Sequence, residues 1–194
     1  MPKLLTALAA FAAFAAFAAA SVAHAQTETF VVEAGHTFVN FEVVHSGTST
    51  TRGRFDNVDG TITLDRTART GRAEIVIDSA SVSSGVPPFD DHLKNQDFLD
   101  VTVFPKATFV GDRFTFEGDK VTSLSGVLTL LGKAQPVTLL ASRFNCYDNP
   151  RNKRHICGGD FSTTIQRSAF GMNFGLPGVP DEVRLLIQIE AIRQ

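Results

Sequence analysis

Two groups of polar side chains in this sequence have residue types suited to acid–base or metal chemistry. The first is an acidic cluster around one histidine, formed by Asp90, Asp91, His92, Asp97 and Asp100. A capped, solvent-exposed helix end would use the same residues. The histidines match no compact metal-ligand spacing, and the sequence has neither a Gly-x-Ser-x-Gly motif nor a glycine-rich phosphate loop. We therefore predict no catalytic residue and no metal site.

The second group consists of His45 and Arg167, which stand at the ends of two predicted strands. Each continues the alternation of the apolar residues that face inward. An inward-facing arginine needs an anionic or carbonyl partner, which a ligand head group, Asp97 or Asp90 could supply. A structural role with hydrogen bonds inside the protein is the alternative for both residues. We predict that both contact the polar part of a ligand.

The first 25 residues are typical of a secretory signal peptide. Lys3 supplies a positive charge, an apolar run rich in Ala and Phe follows, and Ala23-His24-Ala25 forms a cleavage site before Gln26. The apolar run is close to the length of a bilayer span, so an uncleaved anchor is the alternative. We predict cleavage, a mature domain over 26–194 without an integral membrane span, and a periplasmic location.

Cys146 and Cys157 are the only cysteines in the chain. In an exported protein, two cysteines this close in sequence indicate a disulfide that closes a short loop. A partial metal site, typical of a cytosolic protein, is the alternative, but a zinc site needs more ligands, and His155 is the only local candidate. We therefore predict a Cys146–Cys157 bridge.

Hydrophobic periodicity predicts an all-β protein with one short helix. Apolar and polar residues alternate with a period of two, which is typical of antiparallel strands with one buried face. The helix is predicted over 89–99, with Asp90 as its cap. Many short strands indicate either a sandwich or an antiparallel barrel, and a barrel of about eight strands can enclose one small ligand. The predicted strands cover 39–44, 58–65, 72–78, 106–110, 113–117, 120–131, 136–144, 161–166 and 183–190.

Composition limits the kinds of ligand. The net charge is −2, whereas a general nucleic-acid binder would show a basic excess, so we expect no nucleic-acid partner. The chain has 17 Phe, one Tyr and no Trp. Pure hydrocarbon rings suit an apolar interior better than a polar stacking platform.

Several motifs, in order along the mature chain, resemble the YceI-like family of exported lipocalin-like barrels. No single motif is decisive, but the ordered set covers nearly all of the mature chain. The motifs are EAGHT (33–37), GRF (53–55), GTI (60–62), DHLKNQDFLD (91–100), FPKATF (104–109), LSGVLTLLG (124–132), PVTL (136–139), TIQR (164–167) and FG (170–171).

The resemblance implies an extended antiparallel barrel with a long apolar tunnel. Family members bind polyisoprenoid chains, including prenyl quinones and prenyl phosphates, and no catalytic activity is generally attributed to them. The resemblance therefore implies a binding protein that carries an isoprenoid lipid, uses no catalytic cofactor and could form a homodimer. Two alternatives stay open: an enzyme acting on such a lipid, and a ligand-free envelope stress protein.

The apolar tunnel lining is expected to come from inward-facing phenylalanines and aliphatic residues. Parity alone cannot separate residues that line a cavity from residues of a closed core. The residues expected to line the tunnel are Phe41, Phe55, Ile62, Phe98, Phe109, Leu128 and Phe170.

Overall fold

A computed structural model describes residues 26–194 of this protein. The predicted signal peptide and its cleavage site before Gln26 lie outside the described residues. The described part contains eleven strands and one α-helix. They are β1 (Glu28–Val32), β2 (Phe38–His45), β3 (Ser49–Phe55), β4 (Val58–Asp65), β5 (Thr70–Asp78), β6 (Val82–Ser83), α1 (Pro87–Lys94), β7 (Lys106–Glu117), β8 (Lys120–Leu130), β9 (Lys133–Asp148), β10 (His155–Gln166) and β11 (Glu182–Arg193).

Most of these strands have apolar and polar residues in alternation, and their burial alternates in the same way. In β5, Ala73, Ile75 and Ile77 are buried, whereas the residues between them are more exposed. Successive side chains of a strand point to opposite faces, so this pattern places one face of β5 in the core. The predicted strands lie within observed strands, except that the strand predicted over 120–131 ends one residue earlier, at Leu130, and several observed strands are longer.

The predicted gap between the strands over 106–110 and 113–117 was wrong, because Gly111 lies inside β7. At Gly111 the pairing of β7 with β8 shifts register before Arg113, so the strand continues through an irregularity instead of ending. The predicted strands over 106–110 and 113–117 are therefore one strand.

Eight of the strands form a closed antiparallel barrel. The ring runs β1–β4–β5–β7–β8–β9–β10–β11 and closes because β1 also pairs with β11. The strands β2, β3 and β6 continue from β11 as an extension of the wall. This architecture confirms the all-β antiparallel barrel with one short helix.

The helix α1 covers one end of the barrel. Leu93 is buried with Phe41, Val82 and Leu99 in a small core beneath the helix. The helix starts at Pro87, so Asp90 lies within it and the prediction of Asp90 as its cap was wrong. Instead, the Asp90 carboxylate accepts hydrogen bonds of 2.6 Å from both the backbone N–H and the hydroxyl of Ser84.

The disulfide lies toward the opposite end of the barrel. Cys146 on β9 and Cys157 on β10 are direct cross-strand neighbours and are bonded to each other. The predicted Cys146–Cys157 bridge is therefore confirmed. Residues 26–194 include no helix that is both long enough and apolar enough to cross a membrane.

Candidate functional site

Two adjoining apolar cavities lie inside the barrel. The inner cavity, of about 110 Å³, includes Ile62, Phe109 and Cys157 in its wall. The outer cavity, of about 310 Å³, lies beneath α1 and includes Phe55 and Phe98. They share four wall residues and are therefore direct neighbours inside the barrel. These shared residues are Val39, Ile77, Leu128 and Leu185.

The wall of the inner cavity is almost wholly hydrocarbon. Its side chains come from the inward faces of all eight strands of the ring. Phe109 and Leu64, for example, are both buried. Thr37 is the one hydroxyl in this wall, and it is fully buried. Its Oγ1 donates to the Glu190 carbonyl at 3.2 Å and accepts from the Glu190 N–H at 3.1 Å. The threonine is thus satisfied within the protein, and the cavity suits an apolar guest.

The outer cavity combines an apolar wall with polar groups near its mouth. Phe41 faces the cavity from β2, directly opposite Gly53 on β3. A side chain at Gly53 would overlap the Phe41 ring, so glycine at this position gives the ring its space. The polar residues of the wall are His45, Ser46, Thr51, His92 and Arg167.

Three rings meet at the mouth of the outer cavity. His92 lies edge-on to Phe98 and Phe174, with centroid distances of 4.9 and 5.3 Å, and the two phenylalanine centroids are 5.4 Å apart. His92 Nε2 is 3.3 Å from an Asp97 carboxylate oxygen. Phe174 remains 47% exposed, so this trio connects the cavity wall with the surface.

Arg167 is only 2% exposed and lines the outer cavity. Its guanidinium donates to the backbone carbonyls of Met172, Val179 and Pro180 at 2.8–3.0 Å. No carboxylate of residues 26–194 lies within 4 Å of it, and burial lowers the pKa of this guanidinium. Asp97 and Asp90, the alternatives to a ligand head group, are not its partners, because the segment that follows β10 folds back and supplies carbonyls instead.

Asp181 holds the start of the same segment. Its carboxylate accepts from the Ser168 N–H at 2.7 Å and from the Ser168 hydroxyl at 2.6 Å. These hydrogen bonds lower the pKa of Asp181 because they stabilise its ionised form. Asp181 and Arg167 together fix the wall between β10 and β11.

The structure brings together most of the residues expected to line the tunnel. Ile62 and Phe109 face the inner cavity, Phe41, Phe55 and Phe98 face the outer cavity, and Leu128 faces both. His45 is exposed at the end of β2 and lies on the outer rim.

Phe170 does not line either cavity. It belongs to a 3-10 turn, Arg167–Phe170, and is packed in the closed core at 1% exposure. The turn ends the two-residue alternation of β10, so the parity of that strand no longer predicts where Phe170 points. Met172, Phe174 and Val179 also line the outer cavity and were not predicted, because their irregular segment carries no periodic signal.

Comparison with known proteins agrees with this architecture. The family model of the YceI-like domain matches residues 30–191. Protein YceI of Salmonella arizonae is 34% identical over 163 residues, which cover 84% of each chain.

Two solved structures share the fold. BcnA of Burkholderia cenocepacia has a TM-score of 0.68 and 27% identity, and the match covers 82% of this chain and 98% of BcnA. A polyisoprenoid-binding domain from Saccharophagus degradans has a TM-score of 0.62 and 15% identity, and the match covers 85% of this chain and 98% of that domain. The family model thus matches nearly the whole described length of this barrel. The chain belongs to the YceI-like family.

Proposed function

We propose that this protein is a periplasmic carrier that binds an isoprenoid lipid. The observation that carries the proposal is the pair of neighbouring apolar cavities, whose shared wall residues place one directly beside the other inside the barrel. Membership of the YceI-like family supports it as well. In this arrangement the prenyl tail extends from the outer cavity into the inner one, and the head group stays at the mouth.

The tail supplies most of the binding free energy in this proposal. Burial of each CH₂ group contributes about 0.8 kcal/mol, so a five-carbon prenyl unit contributes up to about 4 kcal/mol before ordering costs. The inner cavity, whose one hydroxyl is satisfied by Glu190, imposes no polar requirement on the chain end. The inner cavity therefore selects a hydrocarbon chain by its length.

The lipid is a prenyl quinone or a polyprenyl phosphate, so its head group is a quinone ring or a phosphate. Arg167 has five N–H donors, and the three backbone carbonyls use three of them. The remaining N–H groups, together with His45 on the rim, can bind the carbonyl oxygen of a quinone or a phosphate oxygen. The charge of Asp181 offsets the burial of this guanidinium only in part, so burial still lowers its pKa, and an oxygen acceptor of this kind is favoured.

The test is a series of ligands with one head group and increasing numbers of prenyl units. We expect the affinity to increase by roughly tenfold or more with each added unit until the cavities are full, and then to level off. Native mass spectrometry and competition binding would measure it. An affinity that depends on the head group and ignores tail length would contradict the proposal.

A copurification experiment separates a carrier from an enzyme. A lipid that copurifies from the native host and is recovered chemically unchanged after long incubation supports a carrier. A chemically altered lipid would show catalysis instead. Protein that contains no lipid and takes none up would favour the ligand-free alternative.

The periplasmic location has its own test. N-terminal sequencing of the protein from the native periplasmic fraction should begin at Gln26. An intact Met1 in the membrane fraction would contradict both the cleavage and the location.

A further inference from the structure

The inner end of the barrel carries a second group of reactive side chains, which the lipid-binding proposal does not use. Cys146, His155 and Cys157 place their ligand atoms within 4.8 Å of one another. Cys157 also lies in the wall of the inner cavity, whereas Cys146 and His155 are half-buried. The group therefore lies between the end of the cavity and the surface.

The distances in this group approach those of a tetrahedral metal site. Zn–S bonds of about 2.3 Å and Zn–N bonds of about 2.0–2.1 Å place sulfur and nitrogen ligands about 3.6 Å apart. The distance from Cys157 Sγ to His155 Nε2 is 3.8 Å. The two sulfur atoms need to separate to about 3.8 Å, and reduction permits this because it releases both side chains to rotate.

His155 is already oriented for coordination through Nε2. Its Nδ1 lies 2.7 Å from an Asp148 carboxylate oxygen. When Nδ1–H donates to this carboxylate, the lone pair of Nε2 is directed toward the cysteines. Metal-bound histidines typically have such a carboxylate partner on the second ring nitrogen. The His155 side chain is also only 15% exposed, and its ring packs 6.2 Å from the Phe30 ring, which restricts its movement.

We propose that reduction of the Cys146–Cys157 disulfide creates a site for a thiophilic d¹⁰ cation such as Zn²⁺. A dithiol reductant transfers two electrons and two protons to the disulfide, gives two thiols and becomes a disulfide itself. The cation then binds Cys146 Sγ, Cys157 Sγ and His155 Nε2, and the two thiols release two protons. A fourth position remains for water or an exogenous ligand.

The chemistry of the donor set specifies this class of cation. Two thiolates and one imidazole suit soft or borderline ions, whereas Mg²⁺ and Ca²⁺ prefer oxygen ligands. The oxidised protein cannot bind in this way because a disulfide has no thiolate. The site is thus controlled by redox state, and the lipid-binding proposal does not depend on it.

The test is a Zn²⁺ titration of the mature protein before and after reduction with a phosphine. Competition with a chromogenic chelator gives the affinity, and Co²⁺ in place of Zn²⁺ gives a thiolate-to-cobalt charge-transfer absorption. We expect one Zn²⁺ per reduced chain and no such site in the oxidised chain. Circular dichroism must show that the reduced chain keeps its barrel.

Three variants separate this site from unspecific binding. His155→Ala should weaken Zn²⁺ binding at least tenfold, and Asp148→Asn should weaken it by about 10-fold to 100-fold, the range typical of a lost carboxylate partner. His36→Ala is the matched control, because His36 also has a carboxylate partner, Glu33 at 2.6 Å, but lies outside the cluster. It should bind like the unmodified chain.

Three outcomes would overturn the proposal. Equal Zn²⁺ binding by the oxidised and reduced proteins would show that the cysteines are not ligands. Unchanged affinity of reduced His155→Ala would remove the imidazole from the site. Loss of the barrel signal on reduction, with Zn²⁺ bound only by the unfolded chain, would show that the fold does not build the site.

Discussion

The inner and outer cavities share a wall but differ in what surrounds them. The inner cavity is enclosed by regular strands of the closed ring, and its single hydroxyl is satisfied by Glu190. The outer cavity is enclosed partly by α1 and by the irregular segment after β10, and it includes five polar residues. The difference separates two tasks: the closed ring gives a uniform apolar space, and the elements around its mouth, which are β2, β3, α1 and the segment after β10, supply the polar groups.

The largest expected effect comes from a charge in the inner cavity. Phe109→Glu removes a ring that is 6% exposed and introduces a carboxylate with no partner. We expect a loss of at least about 4 kcal/mol in the free energy of unfolding, together with loss of lipid binding. Urea denaturation would measure the stability.

Leu140→Glu is the control for this substitution. Leu140 is on the same barrel but 60% exposed, so the same carboxylate there faces water. Its stability should change by less than about 0.5 kcal/mol. Similar losses for both variants would show that the interior is not the apolar space described here.

The next effect concerns the mouth. Arg167→Met leaves the carbonyls of Met172, Val179 and Pro180 without their donor, and we expect a loss of about 1–3 kcal/mol in the free energy of unfolding. It should also weaken a prenyl phosphate by roughly ten- to 100-fold, the scale of one charge-assisted hydrogen bond.

Arg167→Lys separates charge from shape. Lysine keeps the positive charge but lacks the planar fork that reaches three carbonyls. We expect it to restore part of the phosphate affinity while the stability stays low in urea denaturation. If Arg167→Met lowers stability and leaves phosphate affinity unchanged, the arginine is structural only.

A pair of matched substitutions compares the two cavities directly. Ala73 lines the inner cavity and Ala107 lines the outer cavity, so Ala73→Leu takes up part of the inner space and Ala107→Leu takes up part of the outer space. Each added leucine displaces a few ligand carbons, worth about 2 kcal/mol or roughly 30-fold in affinity. Ala73→Leu should weaken only long prenyl chains, whereas Ala107→Leu should weaken short and long chains alike. Equal effects on both chain lengths would contradict the arrangement of tail and mouth.

The smallest effect is a pH dependence confined to the mouth. Because its hydrogen bonds to Ser168 lower the pKa of Asp181, this carboxylate stabilises the fold above its unfolded pKa of about 4. The contribution is lost as the pH falls below that value through the lower pKa of the folded state. Hydrogen exchange at the Ser168 amide should therefore reveal local opening of the mouth in acid before the barrel unfolds.

Asp181→Asn should remove this pH dependence and leave the Ser168 amide weakly protected at every pH. Asp119→Asn, in the exposed turn between β7 and β8, changes the charge equally and is the control. Loss of the acid response in both variants would assign it to net charge and not to the Ser168 contact.

The two regions also differ in how well the sequence predicts them. Alternation predicts that Ile62 and Phe109 face inward, and the resemblance to the family predicts that the interior there is a cavity; both line the inner cavity. The disulfide followed from the spacing of the cysteines and the expectation of export. Where structure is regular, the identity of a residue and its place in the alternation predict which way its side chain faces.

The mouth could not be derived in the same way. Strand β3 is polar and becomes a strand through its pairing with β2, not through a pattern of its own. The partners of Arg167 are backbone carbonyls, and carbonyls have no residue signature. Phe174 and Met172 reach the cavity from a segment without periodicity, so only the folded chain reveals them.

The pairings of β11 have a consequence for the order of events during synthesis. This last strand pairs with β10, β2 and β1, so it joins the first residues of the domain to the last. A chain is made from its N-terminus, so β1 and β2 can pair early with β4 and β3, but their second partner, β11, appears only with the final residues. Contacts so distant in sequence also form slowly. Until they form, the interior is an open sheet with exposed apolar side chains, which makes a truncated or stalled chain prone to aggregation.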